Sequence, residues 1–228
     1  MPVPKASATA EPSRAVSPLA TPPANLPDTF AVACSATPGQ VSLACAQAEL
    51  AALSRAGQSE GLGRLRLPSD FLSLPQAEQM FVLINEERVT RGLAPIQGLT
   101  ELADQAAAVA AEGSSDPAMG NGIVAGNWAG DFGPLAAMYD WLYNDGWGGS
   151  PAATSNGSCT GATSAGCWEH RANVLLDGGG QGLFAGIACV PWAGDHGVAA
   201  MDSCALEIGL VSASPPAYVY SWSMVQGG

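Results

Sequence analysis

Six cysteines constrain this chain more than any other feature. They fall in three sequence-near pairs, Cys34 with Cys45, Cys159 with Cys167 and Cys189 with Cys204. Each pair brackets a loop containing Gly or Ala, and none has the Cys-x2-Cys plus His spacing of a zinc knuckle. Six cysteines allow 15 connectivities. Pairing of sequence neighbours is the reading adopted, with buried free thiols as the alternative. If the bridges form, the compartment is oxidising, so the chain is expected to be secreted or on a cell surface. Met1-Pro2-Val3-Pro4-Lys5 is not followed by an apolar signal-peptide core, so a signal peptide is absent from this chain. No run of about 18 apolar residues occurs, so no transmembrane segment is expected.

The 228 residues are 47% hydrophobic and 12% charged, which suits one globular domain with a sizeable core plus some tail. Net charge is −12, the pI is near 4.3, and Lys5 is the only lysine. A nucleic-acid partner needs clustered Lys and Arg and is excluded on this ground. An anionic membrane surface is disfavoured for the same reason. A local hydrophobic contact is not, because screening limits repulsion to roughly 8 Å at physiological salt. A monomer is expected.

Residues 1–27 are mostly Pro, Ala, Ser and Thr and read as a disordered or polyproline-like stalk. Residues 28–74 read as an N-terminal helical extension with the Cys34/Cys45 loop, in which Ala44 to Leu53 is rich in helix formers. The main domain spans 75–228. A helix follows Pro75, with Met80 to Ile84 apolar all round and Gly92 as the stop. Arg88 shares the face of Phe81, so it needs a partner or snorkels. Thr100 caps the next helix. There Leu102, Ala106, Val109 and Ala110 form a narrow stripe suited to close packing. Residues 118–133 are loop-like, with five glycines.

Pro134 starts a helix whose Leu135, Met138, Trp141 and Leu142 should face the core. Cys167 to Leu176 reads as a short helix. The period then changes: 183–190, 205–211 and 218–225 read as strands, the first two joined by a hairpin over a loop holding His196. Helices followed by an antiparallel sheet give an α+β fold.

Tyr139 to Asn173 is the window with the most chemistry. It combines an aromatic cluster, two cysteines and His170, one of two histidines. On a helix, His170 and Asn173 share one face, and Trp168 and Arg171 another. Asp145 or Glu169 beside His170 would make an acid/base pair, since histidine titrates near pH 6.5. A histidine that only locks the loop is the alternative. Trp168 either packs on the bridge or lines a cleft. Cys167-Trp168 is faintly similar to a papain-type Cys-Trp, but a bridged cysteine is no nucleophile. There is no Gly-x-Ser-x-Gly elbow, P-loop or dinucleotide fingerprint.

The order of motifs carries a resemblance. Leu83-Ile84-Asn85-Glu86-Glu87-Arg88 with Arg91-Gly92-Leu93-Ala94-Pro95-Ile96, the Ala-rich 99–112, Trp141, and then Glu169-His170-Arg171-Ala172-Asn173-Val174-Leu175 together resemble the CAP superfamily of cysteine-rich secretory, antigen 5 and pathogenesis-related proteins. The match covers roughly residues 76–226 and looks like a branch of secreted actinobacterial proteins. It implies a three-layer α-β-α sandwich with a central cleft, which in many members holds two histidines and two acidic residues able to bind a divalent metal. Of these only His170 carries over cleanly. The first family histidine falls near Ser115, the usual glutamate position is Gly126, and the second acid has only Asp140 and Asp145 as candidates. No metal and no cofactor are therefore expected, unless His196 folds over the cleft.

The expectation is an extracellular binding module. Its cleft, lined by His170, Asp145, Asn127, Trp128, Trp168, Arg171 and Asn173, would take a small apolar, glycan or protein ligand. The alternatives are a weak peptidase or esterase using His170 with Asp145 or Glu169, and a structural or adhesive surface protein.

Overall fold

The computed structural model describes residues 21–22, 24–35, 42–120, 122–150, 155–192, 201–212 and 215–227. His196 and most of the Pro-rich 1–27 stretch lie outside them. The elements are α1 (Ala31–Cys34), α2 (Leu43–Ser59), a 3-10 turn (Phe71–Ser73), α3 (Gln76–Thr90), β1 (Gly98–Leu99), α4 (Glu101–Glu112), β2 (Ile123–Asp131), α5 (Pro134–Tyr143), α6 (Glu169–Val174), β3 (Leu183–Trp192), β4 (Met201–Leu210), β5 (Tyr220–Ser221) and α7 (Trp222–Gly227). The fold is α+β, built on one five-stranded mixed sheet in the order β2-β4-β3-β1-β5. β4 pairs antiparallel with both β2 and β3, β1 runs parallel to β3, and β5 is antiparallel to β1.

Local chemistry sets the helix boundaries. The Ser42 hydroxyl accepts from the Cys45 N–H to start α2, and the Thr100 hydroxyl accepts from Ala103 N–H to start α4. Gly92 ends α3 in the left-handed region at φ 78°. All of 80–88 in α3 is buried, which places Arg88 inside the protein. Its guanidinium donates to the carbonyls of Ala94 and Val174, and the Asp177 charge favours it against the cost of burial, so it does not snorkel.

The three bridges join sequence neighbours: Cys34–Cys45, Cys159–Cys167 and Cys189–Cys204. Cys189 and Cys204 are direct cross-strand partners in the β3/β4 ladder. The first bridge lies in the main core, which runs without a break from Phe30, Cys45 and Leu53 through Phe81 and Ile84 to Trp141, Leu206 and Ile208. Residues 28–74 therefore share the core of the rest. The Pro-rich segment also docks at its end: Leu26 N–H donates to the Tyr143 carbonyl, and the Tyr139 hydroxyl donates to the Pro27 carbonyl. A second cluster holds Ala107, Ala110 and Ala111 of α4 against Ala205. Leu206 and Ile208 belong to the main core and Ala205 to the second, so both faces of β4 are covered.

Three local expectations need correction. The Gly-rich 118–133 stretch is mostly the long strand β2. Its glycines hid the alternation, and they are there for neighbours: a Cβ at Gly130 would overlap the Trp192 ring. The segment 218–225 is only two residues of strand before α7. In α4 the buried face is Ala103, Ala107, Ala110 and Ala111, while Leu102 and Val109 point away from the protein. Only alanine is small enough for the close approach of α4 to the sheet; a Cβ at Gly186 would already overlap Ala103.

Candidate functional site

The site is assembled around the turn between α5 and α6. Asp145 follows the end of α5 and is almost fully buried. Its carboxylate accepts from His170 Nδ1 at 2.8 Å, the Arg171 N–H at 3.1 Å and the Asn156 side-chain amide at 2.6 Å. The Asn156 amide also reaches the Asp145 and Gly166 carbonyls, closing the loop stapled by Cys159–Cys167. Trp168 takes the left-handed conformation (φ 65°), and its N–H donates to the Asp145 carbonyl. Such a conformation costs of order 1–3 kcal/mol for a bulky residue and persists only where its surroundings hold it. The indole lies over Gly146, where a Cβ would overlap the ring.

The other edge of His170 faces the Asp116 carboxylate, with Nε2 to Oδ1 at 3.5 Å. The His170 side chain is 15% exposed and that of Asp116 55%. Burial disfavours the charged imidazole. Hydrogen bonds and charges from Asp116 and Asp145 outweigh it and raise the His170 pKa to about 9. Asp145 is itself raised, because burial outweighs its contacts with His170, Arg171 and Asn156. The two groups act as a pair: the histidine gains from the contact, and the aspartate carries the cost of burial. At neutral pH the ring is an imidazolium, and both its N–H groups are donors.

His170 opens on a cavity of about 340 Å³. Asp116, Asp140, Asp145, Trp128, Asn156 and Ser158 share its wall. Trp128 is half-buried, its Nε1 donating to Ser203 and its ring edge-on to Trp192. Trp141 is buried, with Nε1 donating to the Trp128 carbonyl. Beneath the wall, burial and the Asp140 charge push the Asp131 pKa well up, against the Phe132 N–H that donates to its carboxylate. Burial pushes Asp140 up to about 6 despite help from Asn144 and Asp131.

The structure brings His170, Asp145 and Trp128 together and takes the other expected site residues elsewhere. Asn127 is fully buried; its amide donates to the His170 carbonyl. The Asn173 amide donates to the Gly126 carbonyl and the Asn127 side chain. These two asparagines stitch α6 to β2, Asn127 fully buried and Asn173 partly so, and neither lines the His170 cavity. Arg171 turns inward, bonding the Leu142 carbonyl and Glu60 and lying over the Tyr143 ring. There it joins Arg91, which pairs with Glu60 and Glu87. Trp168 is spent on Gly146, and Glu169 is exposed and away from the cavity. Thus His-Arg-x-Asn is a clasp: the arginine ties α6 to α5, the asparagine ties it to β2, and the histidine is left facing the cavity.

Sequence reasoning missed Asp116 and Asn156. Asp116 had a signal, since it directly follows Ser115, where the resemblance looks for a histidine. Asn156 had none, because its role depends on a loop closure. The donor set does not suit a divalent ion. Asp116 and Asp145 sit on opposite edges of the imidazole, so the three cannot converge on one point. Among the described residues, Cys34, Cys45 and Glu49 are the one group with ligand atoms within 4.8 Å of each other, and bridged sulfurs hold no thiolate. No helix among the described residues is long and apolar enough to cross a membrane. No family model, curated protein or solved structure matches the chain.

Proposed function

We propose that the chain is an extracellular, CAP-like binding module whose cleft at His170 takes a small glycan-like ligand. The observation that carries this reading is the His170 ring, clasped by Asp145, facing Asp116 and open to a cavity of about 340 Å³. That volume lies at the small end of ligand pockets. The hydroxyls of a sugar would donate to Asp116 and Asp140 and accept from the imidazolium, and its apolar face would lie on the Trp128 indole. With the pKa near 9, only about 1% of the imidazole is neutral at pH 7. A ring in that state donates hydrogen bonds but cannot take a proton, which supports binding over base catalysis. Kinship with the CAP superfamily is supported by the motif order and by the α+β architecture. Export is supported by the three bridges.

Saturation-transfer NMR with a panel of mono- and disaccharides tests the reading. Transfer to a sugar ring is expected in the wild type, and its loss in Asp116→Asn and His170→Gln at unchanged near-UV circular dichroism. A panel without any transfer, or variants that bind as the wild type does, would refute it.

The Asp145–His170 bond of 2.8 Å supports a second reading, a weak hydrolase in which this dyad is the acid/base pair. Its rate must then follow one ionisation near pH 9 and vanish in His170→Gln. A purely adhesive role draws no support from an open cavity.

A further inference from the structure

Helix α4 carries an apolar stripe that the fold leaves uncovered. Leu102 and Val109 are 79% and 71% exposed, and Ala106 lies between them on the same face. Together they line a groove of about 960 Å³, which Phe184 of β3 also lines. Glu207 of β4 also lines the groove. It is 3% exposed, and among the described residues no donor or cation meets its carboxylate; Oε2 is buried without a partner. Leaving a buried carboxylate unpartnered costs free energy that a suitable ligand would recover. Burial alone raises its pKa, and no hydrogen bond or charge opposes that. The charges on the groove are acidic: Glu101 and Asp116 line it with Glu207, and among the described residues no Lys or Arg does.

We infer that this groove binds a small amphiphile with a primary ammonium head, the head on Glu207 and the apolar chain along Leu102, Ala106 and Val109. The head-group chemistry decides between candidates. An ammonium brings three N–H donors and a positive charge, which satisfies Oε2 and neutralises the carboxylate. An anionic head would face Glu101, Asp116 and Glu207 together. A neutral hydroxyl can hydrogen-bond but leaves the buried charge uncompensated. The stripe supplies the remaining free energy by losing its exposure to water. The site lies apart from the His170 cavity, with Asp116 the one described residue on both walls.

Calorimetric titration with octylammonium, octanol and octanoate, each below its aggregation concentration, tests the inference. Octylammonium is expected to bind tightest. Glu207→Gln should weaken it roughly tenfold to hundredfold while leaving octanol unchanged. Leu102→Ser, at an exposed position that the core does not need, should weaken both octylammonium and octanol. Octylammonium binding no tighter than octanol, or a folded Glu207→Gln that binds it as the wild type does, would overturn the inference. Should Glu207→Gln fail to fold, the head-group series on the wild-type chain decides.

Discussion

Asp145→Asn is the substitution that probes the candidate site most directly. In the wild type, Asp116 and Asp145 lift His170 from the ordinary 6.5 to about 9 against the opposing effect of burial. A pKa raised by folding stabilises the fold fully below 6.5, and that contribution is lost as the pH rises through 9. The full difference corresponds to roughly 3 kcal/mol. Asp145 offsets part of this, because its own burial penalises the charge it must carry. A net contribution of about 2 kcal/mol near pH 6 is therefore expected. Removing the carboxylate should lower the His170 pKa by about 1–3 pH units. The Asn156 amide, which now points at the Asp145 oxygen, would also lose a charged acceptor. The assay is NMR titration of the imidazole C–H resonances. The chain has only two histidines, so a His170→Gln spectrum assigns the signal. Urea unfolding at pH 6 and pH 10 should show the variant less stable by about 2 kcal/mol at the lower pH and by less at the higher. A wild-type His170 that titrates near 6.5, or an Asp145→Asn spectrum with the same midpoint, would refute the clasped geometry.

Other outcomes follow from the same structure. Glu49 is fully buried beside the Cys34–Cys45 bridge, and its burial, with the charges of Asp28 and Asp202, raises its pKa to about 8. Folding is thus penalised as pH rises from 4.5 to 8, so Glu49→Gln should gain about 2–4 kcal/mol in urea unfolding at pH 8 and nothing at pH 4. Gly146→Ala puts a methyl into the Trp168 indole and should lower stability by about 1–3 kcal/mol, read as a drop in Tm. The paired change Cys159→Ser with Cys167→Ser opens a loop of sequence separation 8 and should cost about 2–3 kcal/mol in urea unfolding. It should also blunt sugar binding, because Asn156 and Ser158 are held by that loop.

Much of the fold was legible because the signals were local. Thr100 starts a helix and Gly92 ends one by a hydrogen bond and a dihedral angle that need only their neighbours. The bridges also followed sequence proximity. Strand β2 was not legible, because Gly126 and Gly130 weaken its pattern, and the reason for Gly130 lies in Trp192, far along the chain. The α4 stripe misled for a related cause. Sequence marks the larger apolar residues as the packing face, yet the sheet approaches so closely that only alanine fits.

By itself, then, the sequence determined the α+β class, the helix starts at Thr100 and Pro134, the helix stop at Gly92 and the covalent staples. Each depends on residues close in the chain, where backbone geometry leaves few choices. The tertiary structure alone decided which side of His170 meets Asp116, that Arg171, Asn127 and Asn173 are anchors, and that Leu102 and Glu207 border a groove. Those depend on contacts between distant elements, and burial and charge there are set by packing that no local pattern encodes.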